Sequence, residues 1–154
     1  MRSQSEIQLS PEELFAPMLP LLQDGLDAEF TVTGNSMWPF LCHKRDKVTM
    51  RSVQPAQVRK GDIVLLRTER GYLLHRITRR RRDMVQTTGD HNCYRDAYVH
   101  TSCVLGKVVT FTRKGKVISC SDPLYRLVSR LWCVLFPIRP LLLSLLLRRK
   151  RRVK

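Results

Sequence analysis

Residues 60–77 read KGDIVLLRTERGYLLHRI, and this stretch decides the fold class. Two runs of apolar and β-branched residues are separated by a short polar segment that ends in Gly71. The pattern predicts a hairpin of two strands, near 62–67 and 71–80. Similar runs predict five further strands, near 29–33, 46–53, 83–88, 103–112 and 116–120. Strands this short, with hairpin-length gaps, are typical of a coiled antiparallel β-sheet domain and not of alternating βαβ units.

Helical segments flank the predicted β domain, which we place at residues 29–121. In the N-terminal segment, 1–28, the run Ser10-Pro11-Glu12-Glu13 predicts a capped helix start, and two later prolines predict that this helix is short or broken. The C-terminal segment, 122–154, is predicted to be helical, hydrophobic and to end in a polybasic tail.

Three arrangements of the C-terminal segment remain open. Residues 131–147 are mostly apolar but contain Arg139 and two prolines. A helix of this length spans about 25 Å, less than a hydrocarbon core of ~30 Å. An in-plane membrane anchor formed by residues 124–154, with its basic tail on anionic head groups, fits these features best. A tail-anchored span and helices packed on the β domain are the alternatives.

The charge of the chain is strongly positive. Lys and Arg total 28 against 13 Asp and Glu, a net charge of +15. Such an excess favours a polyanionic partner. No aromatic residues interleave with the basic runs, and no nucleic-acid-binding motif is recognisable, so nucleic acid is the weaker explanation. We predict an anionic membrane surface as partner and infer no obligate protein partner.

The cysteine pattern indicates a reducing compartment. Five cysteines without paired spacing favour free thiols over a disulfide framework, and the N-terminal apolar run is too short for a signal peptide. We therefore expect a membrane-associated protein with a cytoplasmic β domain; if the C-terminal apolar segment spans the membrane with its basic tail inside, the β domain would instead face outward. His91, Cys93, His100 and Cys103 lack the C-x-x-C spacing of a zinc site, so we predict no metal and no other cofactor.

A candidate nucleophile lies in TGNSMWPFL, residues 33–41, directly after a predicted strand. Ser36 occupies a glycine-containing turn in this stretch. A reactive hydroxyl needs such a setting, in which a tight turn projects it beside main-chain N–H groups that can receive an oxyanion. The alternative is an ordinary turn serine.

A candidate base and its partner follow. The period of two in a strand places His75 on one face with Leu73 and Ile77, where it is either a core residue or a general base. The polar loop TGDHNCYRD, residues 88–96, carries two carboxylates. It is either an Asx-rich turn or the source of a carboxylate that accepts the second N–H of the imidazole.

Together these stretches resemble the signal-peptidase-like serine peptidases, the superfamily that includes the LexA-type repressors. Ser36-Met37-x-Pro39 is similar to its nucleophile motif. Gly-Asp-Ile-Val at 61–64, followed by His75-Arg76, resembles the base segment of the endoplasmic-reticulum and archaeal branch. Residues 88–96 are similar to the acidic box of that branch. The resemblance covers roughly residues 29–112, and its specificity comes from three motifs in the expected order.

The resemblance implies a role for each motif residue. Ser36 is the nucleophile, with its own N–H as oxyanion donor, and His75 is the general base. Asp90 is the first choice to orient the imidazole and Asp96 the second. Family members bind an extended peptide along a β edge. The residues implied to shape the substrate groove are Met37, Trp38 and Pro39.

We therefore expect a serine endopeptidase with a Ser–His(–Asp) site that cleaves a leader or signal segment from a peptide or preprotein at or near a membrane. The alternative is a non-catalytic basic module that binds membrane or nucleic acid on a peptidase-like fold.

Overall fold

The computed structural model describes residues 10–152, with side chains up to residue 149. In this part of the chain eight strands form one open antiparallel sheet. Seven of them follow the order β1-β2-β7-β3-β4-β5-β6, and β8 pairs with residues 110–113 at the C-terminal end of β7. The strands are β1 (Ala28–Thr31), β2 (Asp46–Arg51), β3 (Ile63–Thr68), β4 (Gly71–Arg81), β5 (Met84–Thr88), β6 (Tyr98–His100), β7 (Val104–Arg113) and β8 (Lys116–Ser119).

The expected mainly β fold is confirmed, and each of the predicted strands forms with small shifts of its ends. One strand, β6, was not predicted, because three residues in a polar loop are too few to show a period of two. The arginine run 79–82 lies only partly in the turn between β4 and β5. Its first three residues extend β4, and Arg82 enters the turn with a φ of 47°.

The N-terminal helices are α1 (Pro11–Phe15) and α2 (Leu19–Gln23), separated by a 3-10 turn over Ala16–Met18. The predicted capping box is present. The Glu13 N–H donates to the Ser10 hydroxyl at 3.2 Å, and the Ser10 N–H donates to the Glu13 carboxylate at 2.7 Å. The first nine residues of the predicted segment 1–28 lie outside the described residues.

The C-terminal helices are α3 (Pro123–Val134) and α4 (Arg139–Arg152), joined by a 3-10 turn over Phe136–Ile138 and bent by 66°. Pro137 lies in this turn and Pro140 at the start of α4, so both prolines of residues 131–147 lie at the bend. Among the described residues no single helix is long and apolar enough to cross a membrane. The two helices taken together, with the bend between them, have the length and the apolar composition for a crossing. The tail side chains from Lys150 to Lys154 lie outside the described residues.

Apolar side chains form two clusters on opposite faces of the central strands. The first includes Phe15, Phe30, Met37 and Leu65, and the second includes Val64, Leu66, Ile77 and Val85. Residues 63–66 of β3 are buried on both faces, which is why this strand is an unbroken apolar run instead of an alternating one. Helix α3 also packs on the sheet domain, where the Tyr125 and Phe111 ring centroids are 5.5 Å apart.

A buried ion pair joins β4 to the loop that follows β5. The Arg76 guanidinium donates to both carboxylate oxygens of Asp90, at 2.8 and 2.7 Å, and neither side chain is exposed. Arg76 also donates to the Gly61 carbonyl at 2.8 Å and lies over the Phe40 ring at 4.5 Å. Burial lowers the pKa of Arg76, but the facing Asp90 carboxylate outweighs burial and raises the pKa above its ordinary value. Arg76 therefore remains charged.

Replacing Arg76 tests how much this ion pair contributes to the stability of the fold. Arg76→Met leaves the Asp90 carboxylate buried without a counter-charge, so the free energy of unfolding in urea should fall by about 3–5 kcal/mol. The double variant Arg76→Met/Asp90→Leu should regain much of that loss. Arg51→Met, which breaks an exposed bidentate pair with Asp27, is the matched control and should change the unfolding free energy little. If Arg76→Met lowers the free energy of unfolding as little as Arg51→Met does, the buried Arg76–Asp90 pair does not stabilise the fold as we expect.

Candidate active site

The imidazole of His75 is buried and paired with a carboxylate. Strand β4 holds His75 at 4% exposure, and its Nδ1 lies 2.7 Å from an oxygen of Asp96. The same oxygen accepts the Thr87 hydroxyl at 2.6 Å, and the Asp96 N–H donates to the Thr87 carbonyl at 2.9 Å. Since a carboxylate accepts, Nδ1 carries a proton, so in the neutral imidazole the lone pair is on Nε2.

The first choice for the orienting carboxylate was wrong. Asp90 bonds Arg76, and Asp96 is the residue at His75. The reason is the alternation of β4, in which neighbouring side chains project from opposite faces. His75 and Arg76 thus each face one carboxylate of the same loop. Spacing along the chain contains no signal that would distinguish the two.

The turn that carries Ser36 is held from both sides. Gly34 has a φ of 79°, and its N–H donates to Nδ1 of His43 at 3.0 Å. The Ser36 carbonyl accepts the His91 N–H at 2.9 Å. In the described structure the exposed Ser36 has no hydrogen-bond partner on its hydroxyl or its N–H. Both groups are therefore open to a ligand, whereas the Gly34 N–H is already used.

Two of these contacts were missed from the sequence. His43 lies outside the three motifs, and nothing in its local spacing indicates that its ring accepts the Gly34 N–H of the Ser36 turn. His91 was noted only as a metal candidate, but it acts here through its backbone.

A close backbone approach brings the Ser36 turn to the end of β5. A Cβ added to Gly89 would lie 2.7 Å from the Ser36 carbonyl oxygen, so this contact requires glycine. The preceding residue, Thr88, pairs with Arg76, the neighbour of His75. Ser36 and His75 are not hydrogen-bonded to each other in the described structure. Catalytic hydrogen bonds of unliganded enzymes often form only when substrate binds.

An apolar groove of about 270 Å³ adjoins the serine. It is lined by Pro11, Leu14, Phe15, Phe30, Val32, Thr33, Gly34, Ser36, Met37, Tyr72, Leu73 and Leu74. Of the three predicted groove residues, Met37 lines this groove, and Trp38 and Pro39 do not. Trp38 instead lies edge-on to the His91 ring, with centroids 5.4 Å apart. The reason is that the turn directs successive side chains to different sides.

Among residues 10–152, one edge of β4, the strand that carries His75, has no partner strand where it borders this groove. Residues 71–75 of β4 pair with β3, but β5 pairs with β4 only from Arg76 onward. The Ile77 N–H and C=O both point toward the β3 side. By alternation, the N–H and C=O groups of Leu74 and Tyr72 point to the open side. This edge offers main-chain donors and acceptors to an extended peptide.

Arg139 connects the C-terminal helices to the same loop. Its side chain is buried and donates to the carbonyls of Gly89 and Asn92, each at 3.1 Å, and to that of Trp132 at 3.3 Å. Burial lowers the pKa of Arg139. From the sequence, Arg139 was recognised only as a charge in an apolar segment, because two of its three partners lie 50 and 47 residues away in the chain.

Gly89→Ala tests the contact between the loop and the serine turn. The added methyl group must push the Ser36 carbonyl away, so the hydrolytic activity expected from the sequence should fall at least tenfold while the far-UV circular dichroism spectrum stays native. Gly115→Ala is the control, since a Cβ there meets nothing within 4 Å. It strains a left-handed residue remote from the site and should leave activity intact. Equal activities of the two variants would show that the contact is unimportant.

Among the described residues no group of three or more His, Cys, Asp or Glu side chains is placed to hold a metal ion. Comparison of the whole chain with protein-family models, with curated proteins and with solved structures gave no match. The functional assignment therefore depends on the geometry of the site.

Proposed function

We propose that the protein is a serine endopeptidase of the signal-peptidase-like type. The observation that carries the proposal is the Asp96–His75 pair at 2.7 Å, next to a loop that hydrogen-bonds the backbone of the exposed Ser36. A member of that superfamily is expected to have an antiparallel sheet with the serine, base and acidic motifs in this order, and the chain has both features. A simple binding module has no need for a buried histidine whose tautomer is fixed by a carboxylate.

The proposed reaction begins with Ser36. Nε2 of His75 accepts the hydroxyl proton as Oγ attacks the scissile carbonyl carbon, and the open Ser36 N–H donates to the oxyanion. The Asp96 carboxylate stabilises the resulting imidazolium. The imidazolium then protonates the leaving amine, and an acyl group remains on Oγ. A water molecule deprotonated by His75 hydrolyses this ester and restores the serine.

The proposed substrate is an extended peptide segment. Its backbone pairs with the open edge of β4 at Tyr72 and Leu74, and an apolar side chain enters the groove beside Met37. A leader or signal segment has this character, because it presents apolar residues in an extended conformation near its cleavage site. We therefore propose removal of such a segment from a peptide or preprotein.

Ser36→Ala tests the nucleophile. Wild-type protein and variant are incubated with a library of synthetic leader-like peptides, and products are identified by mass spectrometry. Wild type should give defined cleavage sites, and Ser36→Ala and His75→Ala should give none above background. Ser52→Ala, at an exposed position, is the control and should cleave like wild type. Turnover retained by Ser36→Ala would exclude this mechanism. Salt-sensitive DNA binding without cleavage by wild type would favour the binding module.

Asp96→Asn tests the orienting carboxylate. An amide can still bond Nδ1 but selects the other tautomer, so kcat should fall by roughly 10²–10⁴-fold with KM little changed. The exposed Asp83→Asn is the control and should retain wild-type kinetics. A variant with wild-type kcat at Asp96 would remove this residue from the mechanism.

A further inference from the structure

The C-terminal helices carry an apolar surface that faces outward. On α3 the exposed large hydrophobic residues recur every three or four positions, at Leu124, Leu127, Val128, Leu131 and Val134. Ile138 in the bend and Leu141, Leu145, Leu146 and Leu147 on α4 are also exposed. We call these ten residues the α3–α4 apolar surface.

This surface is not the core side of the helices. The side of α3 that meets the sheet domain buries Ser129, Trp132 and Cys133, and α4 buries Leu143. A surface helix of a globular protein normally directs its apolar stripe inward and its polar residues outward. Here the outward side is apolar as well, and large exposed apolar patches rimmed by polar residues mark interaction sites.

The charges around the surface are of one sign. Residues 123–154 contain nine Lys and Arg and no Asp or Glu. Arg126 and Arg130 lie on α3 beside its apolar stripe, and Arg148 and Arg149 are exposed near the end of α4. Apolar side chains bordered by cations match the acyl region and anionic head groups of a lipid leaflet.

The buried Arg139 argues against a spanning arrangement. Its guanidinium lies at the junction of α3 and α4 and donates to three carbonyls, two of them in the loop beside Ser36. Straightening the pair across a bilayer would break these hydrogen bonds and move the charge toward the hydrocarbon. The bend therefore suits helices that lie along a surface.

We propose that the α3–α4 apolar surface inserts in plane into one leaflet of an anionic membrane while its opposite side stays packed on the sheet domain. The β domain is then held at the membrane surface. This inference stands independently of the proposed peptidase activity.

Vesicle flotation of the full chain tests the binding. Wild type should bind vesicles of phosphatidylcholine and phosphatidylglycerol at least tenfold more tightly than phosphatidylcholine alone, and high salt should weaken the binding. Leu127→Glu/Leu131→Glu should weaken it at least tenfold. Leu26→Glu/Val117→Glu makes the same charge change at exposed positions outside the surface, and should bind within threefold of wild type. Equal binding of both double variants, or no binding by wild type, would overturn the proposal.

Depth measurements distinguish in-plane insertion from a span. Leu131→Trp and Leu145→Trp are each compared with wild type in vesicles of lipids brominated at shallow or deep acyl positions. In-plane insertion predicts stronger shallow quenching at both sites. Deep quenching at either site would indicate a span and contradict the proposal. Self-association of wild type through this surface in sedimentation experiments, lost in Leu127→Glu/Leu131→Glu, would also contradict it. Ser36→Ala should bind vesicles like wild type, so failure of either proposal leaves the other intact.

Discussion

The fully buried ion pair between Arg76 and Asp90 is the contact on which the arrangement of the site depends. It joins the middle of β4 to the loop after β5, and the same guanidinium reaches the Gly61 carbonyl and the Phe40 ring. Burying two charges costs desolvation free energy, and an apolar pair of similar volume often stabilises a protein as well or better. The ion pair instead supplies a directional contact that fixes the loop in one position. With the loop fixed, Asp96 meets His75 on the opposite face of the strand.

One loop, residues 89–96, thus serves three parts of the molecule. Its carboxylates bind β4, its backbone approaches the Ser36 turn, and its carbonyls accept hydrogen bonds from Arg139. The candidate nucleophile, the candidate base and the C-terminal helices are therefore parts of one connected structure. If α3 and α4 lie on a membrane as we propose, the same contacts fix the distance of the serine from the lipid surface.

Local patterns predicted the parts of the fold that local physics determines. The strands followed from runs of β-branched and apolar residues, and the capping box of α1 from Ser10 and Glu13. Contacts between distant residues were beyond such patterns. The partner of His75 was misassigned because both carboxylates lie in one loop and only the register of β4 and β5 decides which of them faces the imidazole. The hydrogen bonds from Arg139 to the Gly89 and Asn92 carbonyls depend on how the C-terminal helices pack on the sheet, which no local pattern indicates.

The most direct test of the central claim is covalent labelling of the native protein with a fluorophosphonate, followed by peptide mass spectrometry to locate the adduct. Such a reagent phosphonylates a serine hydroxyl only when a base removes its proton and an oxyanion is stabilised nearby. The account predicts one adduct, on Ser36, that disappears in His75→Ala. An unlabelled Ser36, or labelling that is unchanged in His75→Ala, would contradict it.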